Sequence, residues 1–227
     1  MDTSDLKNLR AVPFFQHLDD ASLKRILGRS IHAQFHAGQT IIGHEEKTTD
    51  VLFLIGGRAR VNIYSAGGRR VSFRDIGEGA VFGELSAIDG QPRSAAVEAI
   101  NSCSAVKMRR EDFLRALEAE PEFLRAILRH LTHQVRTLTS RVFEFSTLAV
   151  RNRVQAELLR MANSSGDIIP VPTHEDIASR ISTHREAVTR ELSRLEGLGL
   201  LARQGRALRI TDVKALRRLV DDISDDS

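Results

Sequence analysis

The 227-residue chain has no tryptophan, one tyrosine, five prolines and a single cysteine, Cys103. One cysteine excludes an intrachain disulfide, a four-thiolate iron–sulfur cluster and a thiolate-rich zinc site. No apolar run approaches the roughly 18 residues of a membrane-spanning helix. The longest, Val51 to Ile55 and Leu198 to Ala202, are far too short. The start, Met1-Asp2-Thr3-Ser4-Asp5, has neither a basic region nor an apolar core, so it does not read as a secretion signal. Apolar residues at 41% and charged residues at 28% rule out wholesale disorder. These absences predict a soluble, cytoplasmic protein.

Charge is unevenly spread. Lys plus Arg total 33 against 30 Asp plus Glu, which is uninformative for the whole chain. From Arg151 to Val220, however, 13 basic residues face 8 acidic ones, and the last seven residues add four aspartates. Such a basic block suits a nucleic-acid-binding module, because neutralising phosphates releases counterions. It equally suits a helical domain that is simply rich in arginine, so a motif has to decide.

Glycine divides the sequence. Eleven of 15 glycines fall between Gly28 and Gly90, and none lies between Gln91 and Ser165. The glycine-rich part reads as short strands and tight turns. Ala59, Val61 and Ile63 alternate on one face, as do Val71 with Phe73 and Ala95 with Val97 and Ala99. Gly56-Gly57 and Gly67-Gly68 stand where hairpins need positive φ. Many short strands at this spacing predict a small barrel or jelly roll.

After Pro121 the period becomes helical. Leu124, Leu128, Leu131, Val135, Leu138, Val142, Phe145 and Ala149 step alternately by four and three, a heptad seam. Valine at a with leucine at d favours two parallel strands, hence a homodimer. The alternative is a core helix packed on the barrel, and parts of the seam can do both. A hinge is expected near Phe145 to Arg151. Three shorter helical patterns follow, then Leu200-Leu201-Ala202 and Ala207-Leu208-Arg209-Ile210 around Gly205, a hairpin or wing.

Thr173-His174-Glu175-Asp176 carries a helix-start signature, a cap-type residue with an acid three positions on. Ile177, Ala178 and Ile181 supply that helix's apolar face. Ser182-Thr183-His184 is a short connection, with Thr183 able to cap a second helix. On that helix, at 100° per residue, Arg185, Glu186, Thr189 and Arg190 cluster opposite Ala187, Val188, Leu192, Leu195 and Leu198. An arginine fork can hold guanine O6 and N7, and a glutamate can accept from cytosine N4. Glu186 can instead close a capping box with Thr183, and the arginines can be an ordinary solvated face. The candidate DNA-contacting set is therefore Arg185, Glu186 and Arg190, with Thr173 and Thr183 at the helix starts. Arg203, Arg206 and Arg209 of the wing suit phosphates better than bases.

The stretch Phe82-Gly83-Glu84-Leu85-Ser86, followed by Arg93-Ser94-Ala95, can bind an anion. Gly83 permits close backbone approach, and one helical turn from Glu84 to Ile88 would aim N–H groups at a ligand. Arg93 can take a phosphate bidentately, Ser94 can add a hydroxyl, and Glu84 can accept from a ribose hydroxyl. An Arg–Glu pair merely holding a surface loop is the competing explanation.

In this order, joined by a heptad helix, the two motifs resemble the cyclic AMP receptor protein family of bacterial transcription regulators. The likeness rests on the Phe-Gly-Glu-Leu…Arg-Ser-Ala cassette at 82–95 and on Ser-Thr-His-Arg-Glu-Ala-Val-Thr-Arg at 182–190. It implies an α+β chain: a cyclic-nucleotide-binding β jelly-roll barrel at 1–120, a coiled-coil dimerisation helix with its hinge at 121–149, and a winged helix-turn-helix domain at 150–227. It also implies that Glu84 takes the ribose 2′-hydroxyl, that Arg93 and Ser94 take the cyclic phosphate, and that Gly83 and Leu85 shape the pocket. The nucleobase is expected at Leu138 and Thr139, one of them reaching from the partner subunit. Leucine departs from the family's hydroxyl at the first position, which opens the site to cyclic GMP as well as cyclic AMP. Base contacts from Arg185, Glu186 and Arg190 imply a palindromic site with TGTGA-like half-sites, and RNA polymerase is an expected partner.

Relatives that sense redox state through an iron–sulfur cluster are excluded by the cysteine count. Haem-based sensing lacks a defensible axial histidine, His130 and His133 reading as solvated helix residues. No cofactor is expected beyond the allosteric nucleotide. The chain contains no GxxxxGK[ST], HExxH or GxSxG motif, so it is not read as an enzyme. The alternative within the family is a regulator that binds DNA without a nucleotide, or that senses another small ligand.

Overall fold

The computed structural model describes residues 12–16, 18–64, 70–205 and 207–221. The chain start, the expected turn at Gly67-Gly68, Arg206 and the acidic tail beyond 221 lie outside the described residues. The chain forms two compact units, Met1–Gln134 and Val135–Ser227.

Among the described residues, the first unit contains a 3-10 turn at Pro13–Phe15, helix α1 (Asp20–Leu27) and eight strands. These are β1 (Ile31–Phe35), β2 (Thr40–Ile42), β3 (Val51–Gly56), β4 (Arg58–Tyr64), β5 (Arg70–Gly77), β6 (Val81–Phe82), β7 (Ala96–Ala99) and β8 (Cys103–Met108). One-turn helix α2 (Glu84–Asp89), helix α3 (Arg110–Ala119) and the start of the long helix α4 (Pro121–Thr147) complete it. The strands make two antiparallel four-stranded sheets, ordered β1-β8-β3-β6 and β2-β7-β4-β5.

Strand β3 explains the Val51 to Ile55 run. Leu52 and Leu54 point into a core shared with Ile76, Phe82, Val97 and Ala99 of neighbouring strands. Val51 and Phe53 face a second core built with Leu23 and Ile26 of α1, Phe113 of α3, and Phe123 and Ile127 of α4. A strand covered on both faces needs no polar alternation. Phe15, Phe53 and Phe123 mesh with centroids 4.8–6.2 Å apart, so the base of α4 is anchored on the barrel through aromatic rings.

Two turn expectations change. Gly57 has φ +90°, and a Cβ there would lie 2.3 Å from the Ser102 carbonyl, so glycine is required. Yet β3 and β4 do not pair, because β3 lies between β8 and β6 while β4 lies between β7 and β5. Gly56-Gly57 is therefore a crossover between sheets rather than a hairpin. On β5 the register with β4 shifts at Val61/Asn62, leaving Phe73 without an opposite residue and 36% exposed. The expected Val71/Phe73 alternation breaks at that bulge.

The second unit takes the remainder of α4 with α5 (Val150–Met161), α6 (His174–Arg180), α7 (Arg185–Gly197), α8 (Val213–Asp221) and a small antiparallel sheet. Strands β10 (Leu201–Gln204) and β11 (Ala207–Ile210) form the expected wing, and β9 (Asp167–Ile168) adds an edge from the polar loop. Val154, Leu158, Ile177, Val188, Leu195, Leu208 and Leu216 share its core. Leu198, expected on the buried face of α7, is 55% exposed because the helix stops at Gly197 and the chain turns away.

Candidate functional site

Two constellations stand apart, one in each unit. In the first, β6 delivers the chain into Gly83, whose φ of +85° reverses it into α2. A Cβ on Gly83 would lie 2.6 Å from Arg93 Nη1 and 2.7 Å from the Asp50 carbonyl, so only glycine fits. Glu84, the first residue of α2, and Arg93 are each 3% exposed. The Arg93 guanidinium is held at every nitrogen: Nε donates to Thr48 Oγ1 (2.9 Å), Nη1 to the Gly83 carbonyl (2.9 Å) and Nη2 to the Asp50 carbonyl (2.8 Å). Burial pushes its pKa down, while Asp50, Glu46 and Glu84 push it back up. Arg93 thus hydrogen-bonds carbonyls and a hydroxyl rather than Glu84, so the pair does not simply staple a surface loop.

Glu84 is satisfied from α4. Its Oε1 accepts from Gln134 Nε2 at 2.8 Å and lies 3.4 Å from His130 Nε2. His130, whose side chain is 14% exposed, also packs edge-on against Phe14. The expectation that His130 is solvated is corrected: the barrel covers that face of α4. His133 is exposed, as expected. Gln134, Thr48 and the inward Arg74 of β5 escaped sequence reading, since no motif marks them; only the i, i+4 spacing of His130 and Gln134 hints at a shared face. Leu85 is 41% exposed and Ser94 is exposed. In the second unit Leu138 and Thr139 are also exposed, the Thr139 hydroxyl donating to the Val135 carbonyl.

The other constellation is the α6–α7 pair. Thr173 caps α6 in a capping box with Asp176, as the spacing predicts. Thr183 does not cap α7: that helix starts at Arg185 behind His184, with no side-chain cap bond. Glu186 is then the second residue of the helix, out of phase for a box, and it stays exposed with Arg185, Thr189 and Arg190. The buried side is anchored by Val188 and Leu195 and by Glu191, which accepts from Gln155 Nε2 at 2.6 Å. Thr189 donates to the Arg185 carbonyl (3.0 Å) and so accepts from His174 Nδ1 (2.7 Å), pinning α6 to α7. In the wing, Arg203 is exposed, but Arg209 forks onto Asp167 at 2.6 and 2.8 Å, so its guanidinium is already engaged.

Residues 32–120 match the cyclic nucleotide-binding domain, and residues 152–219 match the Crp-like helix-turn-helix domain. The chain belongs to the cyclic AMP receptor protein family. It is 25% identical over 211 residues to a CRP-like cAMP-activated global transcriptional regulator of Mycobacterium tuberculosis, spanning 90% of this chain and 94% of that one. It is 24% identical over 188 residues to the cAMP-activated global transcriptional regulator CRP of Haemophilus influenzae, 78% and 84% of the two chains. Among solved structures, FixK2 of Bradyrhizobium japonicum shares the fold with a TM-score of 0.74 at 22% identity, covering 84% and 96%. The family member described here is a DNA-binding transcription regulator with a cyclic-nucleotide-binding barrel. No helix among the described residues is long and apolar enough to cross a membrane.

Proposed function

We propose that the chain works as a homodimer whose affinity for a palindromic operator with TGTGA-like half-sites is raised by cyclic AMP, with cyclic GMP as a second ligand of the same pocket. Glu84 takes the ribose 2′-hydroxyl, Arg93 and Ser94 the cyclic phosphate, and Leu138 and Thr139 meet the base. Arg185, Glu186 and Arg190 read base edges, Thr173 and Thr183 lie against the phosphate backbone, and the bound dimer recruits or blocks RNA polymerase from the cytoplasm. One observation carries the reading: a buried guanidinium, fixed at three nitrogens, stands beside a buried carboxylate and a glycine with no room for a side chain. A fixed cation with two N–H groups still to give, next to a hydroxyl acceptor, matches a ribose cyclic phosphate.

Calorimetric titration of cyclic AMP tests it. Arg93→Ala is expected to abolish nucleotide binding while leaving non-specific DNA affinity intact; an unchanged titration moves the site elsewhere. Because coupling is reciprocal, operator DNA should tighten nucleotide binding by the factor with which nucleotide tightens DNA binding.

A second reading draws support from the bonds that Glu84 and Arg93 already make to Gln134, Thr48, Gly83 and Asp50. In it the cassette is structural and DNA is bound without a nucleotide. Thermal melting separates the two, since a ligand of the folded state raises the midpoint.

A further inference from the structure

The barrel interior holds a second cation that the cassette does not include. Arg74 on β5 lies directly opposite Val61 of β4, and the next such pair is Ala59 with Ile76. Directly opposed residues of an antiparallel pair share a face. Ala59 and Ile76 belong to the barrel core and Val61 packs against it, so Arg74 projects inward with them. The bulge sends its neighbour Phe73 outward.

An arginine aimed into an apolar wall loses hydration and is retained where something compensates its charge. Burial does push the Arg74 pKa down, and the Glu84 carboxylate is the charge that opposes this. Glu84 is already shared with Gln134 and His130. Arg93 has spent a donor of each nitrogen on protein, whereas the Arg74 fork makes no hydrogen bond among the described residues. The barrel thus presents one cation locked in place and one with its donors open, both within the field of the carboxylate assigned to the ribose.

We propose that Arg74 reads the nucleobase and selects guanine over adenine. The inference rests on the reading of Glu84 and Arg93 as ribose and phosphate ligands, and it makes cyclic GMP the tighter-binding of the two nucleotides that reading admits. With the 2′-hydroxyl on Glu84, the neighbouring sugar carbon and its base lie beside that carboxylate, within the field that Arg74 shares. Guanine offers the fork two adjacent acceptors, O6 and N7, whereas adenine offers N7 beside an amino group that repels a donor.

The test titrates the full-length protein with cyclic GMP, cyclic AMP and cyclic IMP, the last having guanine's O6 and N7 without its amino group. Wild type should bind cyclic GMP and cyclic IMP roughly tenfold more tightly than cyclic AMP. Arg74→Gln, and Arg74→Lys, which keeps a charge opposite Glu84 but loses the fork, should each remove that advantage and leave cyclic AMP within about threefold. Thermal melting of both variants verifies folding, and the lysine variant carries the test if the glutamine variant unfolds. Equal losses for all three nucleotides, or no loss, overturn the proposal, Arg74 then touching sugar and phosphate or nothing. A wild type that binds all three equally, with Arg93 still required, overturns this inference alone. A wild type that binds none overturns the nucleotide reading and this inference with it.

Discussion

Arg141 and Glu157 meet at 3.2 Å, Nη2 to Oε2, tying the far end of α4 to α5 through a carboxylate whose side chain is only 2% exposed. The same carboxylate faces Arg160 Nη2 at 2.9 Å and Arg180 Nη1 at 3.6 Å. Arg160 reaches back to Glu144 on α4, and Arg141 Nη1 donates to the carbonyl of Arg180, the last residue of α6. One buried anion thus compensates three guanidiniums from three helices and links the long helix to the first helix of the DNA-reading pair.

Removing that anion takes the carboxylate from Arg141 and Arg180 in a poorly hydrated site and leaves Arg160 with Glu144 alone. Glu157→Ala should therefore cost about 3–5 kcal/mol in urea unfolding. Glu144→Ala, which removes the second carboxylate of Arg160 and a charge that also acts on Arg141 but leaves Glu157 in place, should cost about 1 kcal/mol or less. Equal costs for the two variants would mean that Glu157 is not the centre of the cluster.

A nucleotide whose 2′-hydroxyl bonds Glu84 Oε1 competes with Gln134, which holds that oxygen at 2.8 Å. Gln134→Leu removes the competitor while keeping much of its bulk. With a net hydrogen bond at about 1 kcal/mol, cyclic AMP should bind roughly fivefold more tightly in a calorimetric titration. A weaker affinity would show that Gln134 itself contacts the nucleotide.

These residues show what the sequence does and does not reveal. The Gly83-Glu84 and Arg93-Ser94 pairs are legible because a positive-φ glycine and a buried arginine ten residues on leave a local spacing. The α7 face is legible because burial follows 100° steps, from Val188 to Leu195. Arg74, Gln134 and Thr48 are not, because each reaches the pocket from a different element through register or helix phase that no short motif encodes. Cap positions failed for a similar reason: whether Thr183 or His184 precedes α7 depends on the turn, where Ser182 takes φ +52°. Gly57 requires positive φ, but local sequence cannot say whether the next strand pairs with the last or crosses to another sheet.

The Asp167–Arg209 fork gives the wing a pH signature. Hydrogen bonds from Arg209 hold the Asp167 carboxyl below its ordinary value of 3.8. A lowered folded-state pKa means that the unfolded chain takes up the proton first as pH falls, so the stabilisation is present above about pH 4 and fades below it. Asp167→Asn should lower the melting midpoint of the wild-type wing domain at pH 6, and the gap should close as the scans move below pH 4. A gap constant across that range would mean that the fork contributes no pH-dependent stability.

The last prediction concerns the seam. Leu128, Val135, Leu138 and Val142 are 53, 63, 47 and 65% exposed along a helix whose adjoining face, at Phe123 and Ile127, is buried against the barrel. Each such side chain gains about 1.5–3 kcal/mol if covered, and a heptad strip with valine at a is covered by its own copy. Val135→Glu would set two like charges against each other in a water-poor seam and should convert a dimer to a monomer in sedimentation at micromolar concentration. A single reading head meets only half a palindrome, so operator affinity should fall toward the non-specific level, a loss of about a thousandfold or more. The core around Phe123 is untouched by the change, so the circular dichroism of the monomer should stay helical. A variant that still sediments as a dimer would place the subunit contact elsewhere on the chain.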